Sequence, residues 1–169
     1  MRHAPKETVD SWLRQNSLDP HKLIPALLQS QHVPISPLTP NHAVRYLNHV
    51  IFNTGSTSPI IHNLLLTFLA SSSTHFPPSS PPSSSKLSNR ANDATEKPVD
   101  PADRPLLRFL STAPTDPLTS RPYYDLDYAL RLCKRNNRLQ ACVHIYAQMG
   151  MWEESVELAL DMGDRKSVV

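Results

Sequence analysis

The sequence predicts an all-α protein, an α-solenoid of antiparallel helical hairpins interrupted by one long disordered insertion. Apolar residues recur at intervals of three and four, which is the spacing of one face of a helix. Many of the prolines stand just before these apolar stretches, where a helix accepts proline at its first position. Glycine occurs only three times in 169 residues, which disfavours a β-rich fold or a glycine-rich nucleotide loop.

The proline-free run over residues 124–162 contains three apolar stripes with helical spacing. Asn136 and Asn137 separate the first two stripes, and Gly150 separates the second from the third. These residue types are common just past helix ends. Connections this short place consecutive helices side by side and antiparallel. The stripes consist of Leu126, Ala129, Leu130 and Cys133; Leu139, Cys142, Val143 and Tyr146; and Trp152, Val156, Ala159 and Leu160.

This run also contains a faint internal repeat. When the first stripe is aligned with the third, Ala129 meets Val156 and Cys133 meets Leu160. One hairpin does not bury its apolar face alone, so repeated hairpins indicate a stack of hairpins, an α-solenoid. An ordinary helical bundle remains the alternative on spacing alone.

The N-terminal half is predicted to form further helices. A short helix is expected over about residues 5–15, and four later starts combine a capping residue with proline. Pro25 lies inside the first of these four helices and should bend or delay it. The four starts are Asp19-Pro20, Thr39-Pro40, Ser58-Pro59 and Asp103-Arg104-Pro105. The stripes that follow them are Leu23, Ile24, Leu27 and Leu28; Ala43, Val44, Leu47, Val50 and Ile51; Ile60, Ile61, Leu64, Leu65, Phe68 and Leu69; and Leu106, Leu107, Phe109 and Leu110.

Residues 71–103 are rich in serine and proline and contain few apolar residues. Such a segment buries too little surface to offset the entropy of ordering, so we expect a disordered insertion. It divides the chain into N-terminal hairpins over residues 1–70 and C-terminal hairpins over residues 104–169. The insertion is either a phosphorylated or partner-binding loop or simply a tolerated insertion, and the second interpretation is favoured.

The residue types that carry chemistry form no recognisable site, so we predict no catalytic, cofactor-binding or metal-ligating residue and no enzymatic activity. His42 and His49 lie two turns apart, yet solvated or half-buried helix positions are the expected interpretation for the histidines. Cys133 and Cys142 are interpreted as small core residues of a reducing compartment. The eight histidines are His3, His21, His32, His42, His49, His62, His75 and His144.

Charge and hydropathy limit the possible cellular compartments and the classes of binding partner. The net charge is +2 with scattered basic residues, which argues against nucleic-acid binding. No apolar run approaches the length of a membrane span, and the first residues lack the apolar core of a signal peptide. We therefore expect a cytoplasmic protein that reaches membranes only through partners.

Several of these stretches resemble one family, the class C vacuolar protein sorting subunit of the deep-orange type. The order and rough spacing of the motifs match over nearly the whole chain, and only residues 71–103 fall outside the resemblance. The motifs are KLIPALL at 22–28, AVRYL at 43–47, IHNLLL at 61–66, YDLDYALRLC at 124–133, ACVHIY at 141–146 and WEESVELAL at 152–160.

The resemblance implies a non-enzymatic scaffold, a piece of the clathrin-heavy-chain-like α-solenoid of a HOPS and CORVET core subunit. It implies a role in vesicle tethering, endosome and vacuole (lysosome) fusion and protein transport at those membranes. Implied partners are the other class C subunits, with SNAREs and Rab GTPases reached through the full complex. The alternatives are a generic helical-repeat adaptor, or part of a RING-containing ubiquitin-ligase chain whose RING is absent from this sequence.

The C-terminal end departs from the family pattern, because residues 163–169 do not continue into the family's next helix. A stack cut within a repeat leaves an apolar face uncovered, so we expect an exposed apolar patch over about residues 152–169 that favours self-association. The helical spacing separately predicts that Leu130, Val143 and Leu160 are buried between stacked helices.

The insertion yields the first testable prediction. Because it is expected to lack ordered contacts, deleting residues 71–103 should leave the melting temperature nearly unchanged. Thermal unfolding followed by circular dichroism measures this. A drop of several degrees would show that part of the segment packs against the helices.

Overall fold

The computed structural model describes residues 5–15, 18–29, 41–71 and 103–164, and the regular secondary structure in this part of the chain is helical. An isolated bridge joins Thr115 and Pro122 in the loop before the sixth helix. The prediction of an all-α fold is confirmed. The elements are α1 (Pro5–Arg14), α2 (Pro20–Gln29), α3 (His42–Asn48), a π-helical turn (His49–Asn53), α4 (Pro59–Ser71), α5 (Arg104–Thr112), α6 (Leu126–Arg135), α7 (Leu139–Gln148) and α8 (Trp152–Asp164).

Proline starts two of the helices as predicted. Pro20 is the first residue of α2, where Asp19 Oδ1 accepts a hydrogen bond from the His21 amide at 3.0 Å. Pro59 is the first residue of α4, and the Ser58 carbonyl accepts hydrogen bonds from the amides of Ile61 and His62. Pro25 lies inside α2, which runs on through it to Gln29.

The start of α3 differs from the sequence interpretation. Its capping residue is Asn41, whose Oδ1 accepts hydrogen bonds from the amides of Ala43 at 2.9 Å and Val44 at 3.3 Å. Thr39 and Pro40 lie outside the described residues. Proline as the marker of a helix start does not point to Asn41, although asparagine caps helices well.

A π-helical turn continues α3, which spacing alone did not predict. The Thr54 amide donates to the His49 carbonyl, five residues back, at 3.2 Å. The hydroxyl of Thr54 donates to the Val50 carbonyl at 2.6 Å. The widened turn is therefore hydrogen-bonded, while Val50 and Ile51 remain buried. One extra residue in a turn rotates every later side chain around the helix axis. The spacing of apolar residues in the sequence does not reveal such a turn.

The core centres on α4, which packs against α3, α5 and α6. Most of its side chains are buried, among them His62 and Leu66, which the predicted stripe omitted. Ile60, which the stripe included, is 59% exposed, and Leu28 of α2 is also exposed. The face of each helix that the apolar spacing predicts to be buried therefore differs in part from the face that the neighbouring helices cover.

The C-terminal hairpins pack as their short connections require, α6 beside α7 and α7 beside α8. The turns contain residues in the left-handed conformation, Asn137 at φ 55° and Gly150 at φ 77°. Asparagine and glycine adopt this conformation most readily.

The buried faces of these helices confirm part of the predicted stripes. Cys133 and Cys142 are fully buried, and so is Ile145, which the stripes omitted. Leu130 and Val143 are half-buried. Leu160 is 66% exposed, so the prediction of its burial is wrong.

The orientation of α8 explains this exposure. The buried Ser155 faces α7, and its Oγ donates to the Val143 carbonyl at 3.1 Å. The stripe of Trp152, Val156 and Leu160 is turned to solvent, with exposed fractions of 65%, 57% and 66%. The expected exposed apolar patch is confirmed for these three residues. Residues 165–169 lie outside the described residues.

These burials predict how substitutions change stability. Ile145→Ala should lower the free energy of unfolding by about 2–5 kcal/mol, because it removes buried methylene groups and leaves a cavity. Leu160→Ala should change it by less than about 0.5 kcal/mol. Urea unfolding of both variants measures the contrast, and equal losses would mean that the face of α8 is misassigned.

Candidate functional site

The described residues contain no group of three or more His, Cys, Asp or Glu side chains that could hold a metal ion. Both cysteines are free and buried. Burial raises the pKa of Cys133 to about 12 and that of Cys142 to about 11. Since the thiolate is the nucleophilic form, neither thiol is activated.

His62 is the histidine that the sequence interpretation placed wrongly, because it is fully buried rather than solvated or half-buried. Its Nε2 lies 2.8 Å from the Ser56 carbonyl, and its ring lies 5.6 Å from that of Tyr123 and 6.3 Å from that of Phe109. Burial lowers its pKa, and the bond to Ser56 opposes this. A neutral His62 thus joins the start of α4 to α5 and to the loop before α6.

Arg138, in the connection between α6 and α7, makes a buried ion pair. Its Nη1 lies 2.7 Å from Asp103 Oδ1, with both side chains about nine-tenths buried. Its Nε donates to the Ala70 carbonyl at 3.3 Å. One guanidinium, on the residue just before α7, therefore contacts the end of α4 and the residue before α5.

This ion pair corrects the interpretation of Asp103 as a helix cap. Its carboxylate makes no capping hydrogen bond to α5 and faces Arg138 instead. Both end residues of the predicted insertion belong to the folded structure, since Ser71 is the last residue of α4 and Asp103 is buried. Residues 72–102 lie outside the described residues, so their disorder stays a prediction. The deletion proposed above must keep Asp103.

Three further polar contacts join parts of the chain that are distant in sequence. The Tyr124 hydroxyl donates to Gln148 Oε1 at 2.6 Å, and Gln148 Nε2 donates to the Leu110 carbonyl of α5 at 3.2 Å. Burial raises the pKa of Tyr124 to about 12. The hydroxyls of Thr67 and Tyr128 lie 2.8 Å apart between α4 and α6. These polar groups hold helices together, which is a structural role.

A groove of about 700 Å³ lies where α3, the π-helical turn, α4 and α5 meet. Phe52, Leu69 and Phe109 give it an apolar floor, and Arg104 and Arg108 stand on its α5 side. Phe52 is 44% exposed, while Leu69 and Phe109 are buried. The described residues that line this groove combine apolar side chains with two arginines.

The described helices include none that is long and apolar enough to cross a membrane.

Comparison with known proteins identifies the fold and the family. The family model described as "VPS18, alpha-solenoid domain, second half" matches residues 1–168. The chain belongs to the VPS18 family. The solenoid prediction is thereby confirmed over the bundle alternative, and so is the resemblance to a class C vacuolar protein sorting subunit.

Curated relatives from three kingdoms agree with the family match. The chain is 36% identical over 162 residues to the vacuolar protein sorting-associated protein 18 homolog of Danio rerio. It is 32% identical over 158 residues to vacuolar sorting protein 18 of Arabidopsis thaliana, and 33% over 167 residues to vacuolar membrane protein pep3 of Schizosaccharomyces pombe. These alignments cover 92–97% of the chain but only 13–15% of the relatives. No solved structure matches the chain significantly.

Sequence reasoning anticipated no site residues and missed both Arg138 and the two groove arginines. An arginine just before a helix carries no local signal of burial, because its partners lie 35 and 68 positions away in sequence. The pair Arg104 and Arg108 has one-turn spacing, but that pattern is also typical of an ordinary solvated face.

The ion pair yields a stability prediction. Arg138→Met should lower the free energy of unfolding by about 3–5 kcal/mol, because it leaves the Asp103 carboxylate buried without its cation. Arg135→Met, at an exposed position of α6, is the matched control and should change it by less than about 0.5 kcal/mol. Urea unfolding measures both, and a loss below about 1 kcal/mol for Arg138→Met would mean that the pair is dispensable.

His62 yields a pH prediction. Its pKa is lowered in the folded state, so below about pH 6.5 the unfolded chain binds a proton that the folded chain excludes. The contribution of neutral His62 to the free energy of unfolding is therefore fully present above the pKa of the unfolded state. It is lost as the pH falls towards the pKa of the folded state. His62→Gln should flatten this part of the curve of unfolding free energy against pH. The exposed His21→Gln variant should keep the wild-type slope, and parallel curves for all three proteins would contradict the assignment.

Proposed function

We propose that the chain is a non-enzymatic scaffold segment of a HOPS and CORVET core subunit. In this role it contributes to vesicle tethering, to fusion of endosomes with the vacuole or lysosome, and to protein transport between them. The observation that supports this most is the family match over residues 1–168, which spans almost the whole chain.

The arrangement of polar groups supports a scaffold role. Arg138 and Asp103 pair with each other, and Tyr124 in the loop before α6 bonds to Gln148 of α7, so these side chains hold the stack in shape. The buried thiols of Cys133 and Cys142 are held in the unreactive protonated form. A rigid stack of this kind offers extended surfaces to other proteins, as helical repeats generally do.

The proposed partners are the other class C vacuolar sorting subunits. SNAREs and Rab GTPases would be reached only through the full complex, and attachment to late endosome and vacuole membranes would be peripheral and from the cytoplasmic side. No cofactor is proposed. A generic helical-repeat adaptor, or a RING-bearing ligase chain, is the competing class of function. A RING needs about eight Cys or His zinc ligands in paired spacings, and this sequence contains two cysteines.

Co-purification from cells tests the proposal. The chain is used as bait beside the full-length protein that contains it, and both should recover class C vacuolar sorting subunits, the chain with fewer of them. Arg138→Met, which weakens the stack, should recover less, and the exposed Arg135→Met control should recover as much as the unchanged chain. If the folded chain recovers unrelated cargo while the full-length protein recovers sorting subunits, the adaptor interpretation is correct.

A further inference from the structure

We propose that the groove between α3, the π-helical turn and α5 binds an acidic amphipathic helix of a partner protein. The proposal goes beyond the scaffold role, because it names one surface and the chemistry of its occupant. It depends on the shape of the groove, on its apolar floor and on two arginines without ion-pair partners in the described part of the chain.

The floor of the groove is apolar and already ordered. The rings of Phe52 and Phe109 meet edge to face, with centroids 6.4 Å apart and planes at 86°. Phe109 and Leu69 are buried beneath, while Phe52 keeps 44% of its surface exposed. Burying an exposed aromatic face against a partner's apolar side chains is favourable. A volume of about 700 Å³ accommodates several side chains from one face of a helix.

The π-helical turn places Phe52 in this position. Val50 and Ile51 of the same turn point into the core, so the residue that follows them is presented outward. The carbonyl of Val50 accepts bonds from Thr54 Oγ1 at 2.6 Å and from the Ser56 amide at 3.1 Å. The widened turn is therefore stable before any partner binds. Turns of this kind are frequent at functional sites.

The charge on the α5 side indicates the sign of the partner. Arg104 and Arg108 lie one turn apart, both are exposed, and neither forms an ion pair with a carboxylate of the described residues. Arg45, in contrast, pairs with Asp10 at 2.7 Å. Carboxylates one turn apart on a partner helix match the spacing of the two guanidinium groups. Arginine binds carboxylates in a planar two-pronged geometry, which also orients the partner.

These features together define the occupant as an amphipathic helix with an apolar stripe bordered by acidic side chains at one-turn spacing. The groove runs between helical elements, and a helix laid into such a groove buries its apolar face there. A basic helix would place like charges opposite Arg104 and Arg108, which is unfavourable.

A designed helical peptide tests the proposal on the complete 169-residue chain. The fluorescein-labelled probe carries leucine and phenylalanine one turn apart along one face and glutamates one turn apart beside them. Fluorescence anisotropy should show saturable binding that weakens with added salt. A matched peptide with lysines in place of the glutamates should bind at least about tenfold more weakly.

Variants locate the binding. Arg104→Glu combined with Arg108→Glu should weaken binding of the acidic peptide at least about tenfold and should gain affinity for the lysine peptide. Arg131→Glu combined with Arg135→Glu makes the same charge change at two exposed positions one turn apart on α6, and it should bind like the unchanged chain. Phe52→Ala should also weaken binding, without any change of charge. Circular dichroism verifies that each variant is folded.

Several outcomes would overturn the proposal. Absence of binding, or equal loss in the α5 and α6 double variants, would remove the groove as the site. Binding that appears only after deletion of residues 72–102 would show that the chain's own segment occupies the groove. The exposed stripe of α8 lies beside Glu153 and Glu157, so a second copy could offer the same chemistry. Sedimentation that shows self-association abolished by Glu153→Lys with Glu157→Lys would place that second copy in the groove instead.

Discussion

The buried ion pair between Arg138 and Asp103 is the contact on which the arrangement of the other helices depends. Its guanidinium reaches Asp103 at 2.7 Å and the Ala70 carbonyl at 3.3 Å. Taking two charges out of water is costly, so the pair is stable only where both find close, well-oriented partners. Arg138, just before α7, meets that requirement by bonding to Ala70 of α4 and to Asp103 just before α5. The pair therefore joins three helices at one point.

The same contact joins the two ends of the long segment between α4 and α5. Ala70 and Asp103 stand at the two ends of that segment, and Arg138 bonds to both. Once those ends are held together, the entropic cost of a longer connection grows only slowly with its length.

Polar side chains elsewhere in the described structure also serve the packing of helices. His62 contacts the Ser56 carbonyl, and Tyr124 contacts α7 through Gln148. The side chains of His62 and Tyr124 are buried, and burial lowers the pKa of His62 and raises that of Tyr124. Exposed apolar side chains lie instead at Phe52 in the groove, beside Arg104 and Arg108, and along α8. That division agrees with the proposed scaffold role.

Local pattern determined the helices, because capping residues, proline starts and apolar spacing act within a few residues of each other. It therefore placed α2, α4, α6, α7 and α8 and the turns at Asn137 and Gly150. Family motifs in the same stretches identified the solenoid. Tertiary packing decided the rest. It turned Leu160 outward, buried His62, and paired Asp103 with Arg138 across 35 positions of sequence. The physical reason is that the type of a residue indicates whether burial is favourable for it. Only the packing of neighbouring helices decides which face of its own helix is buried.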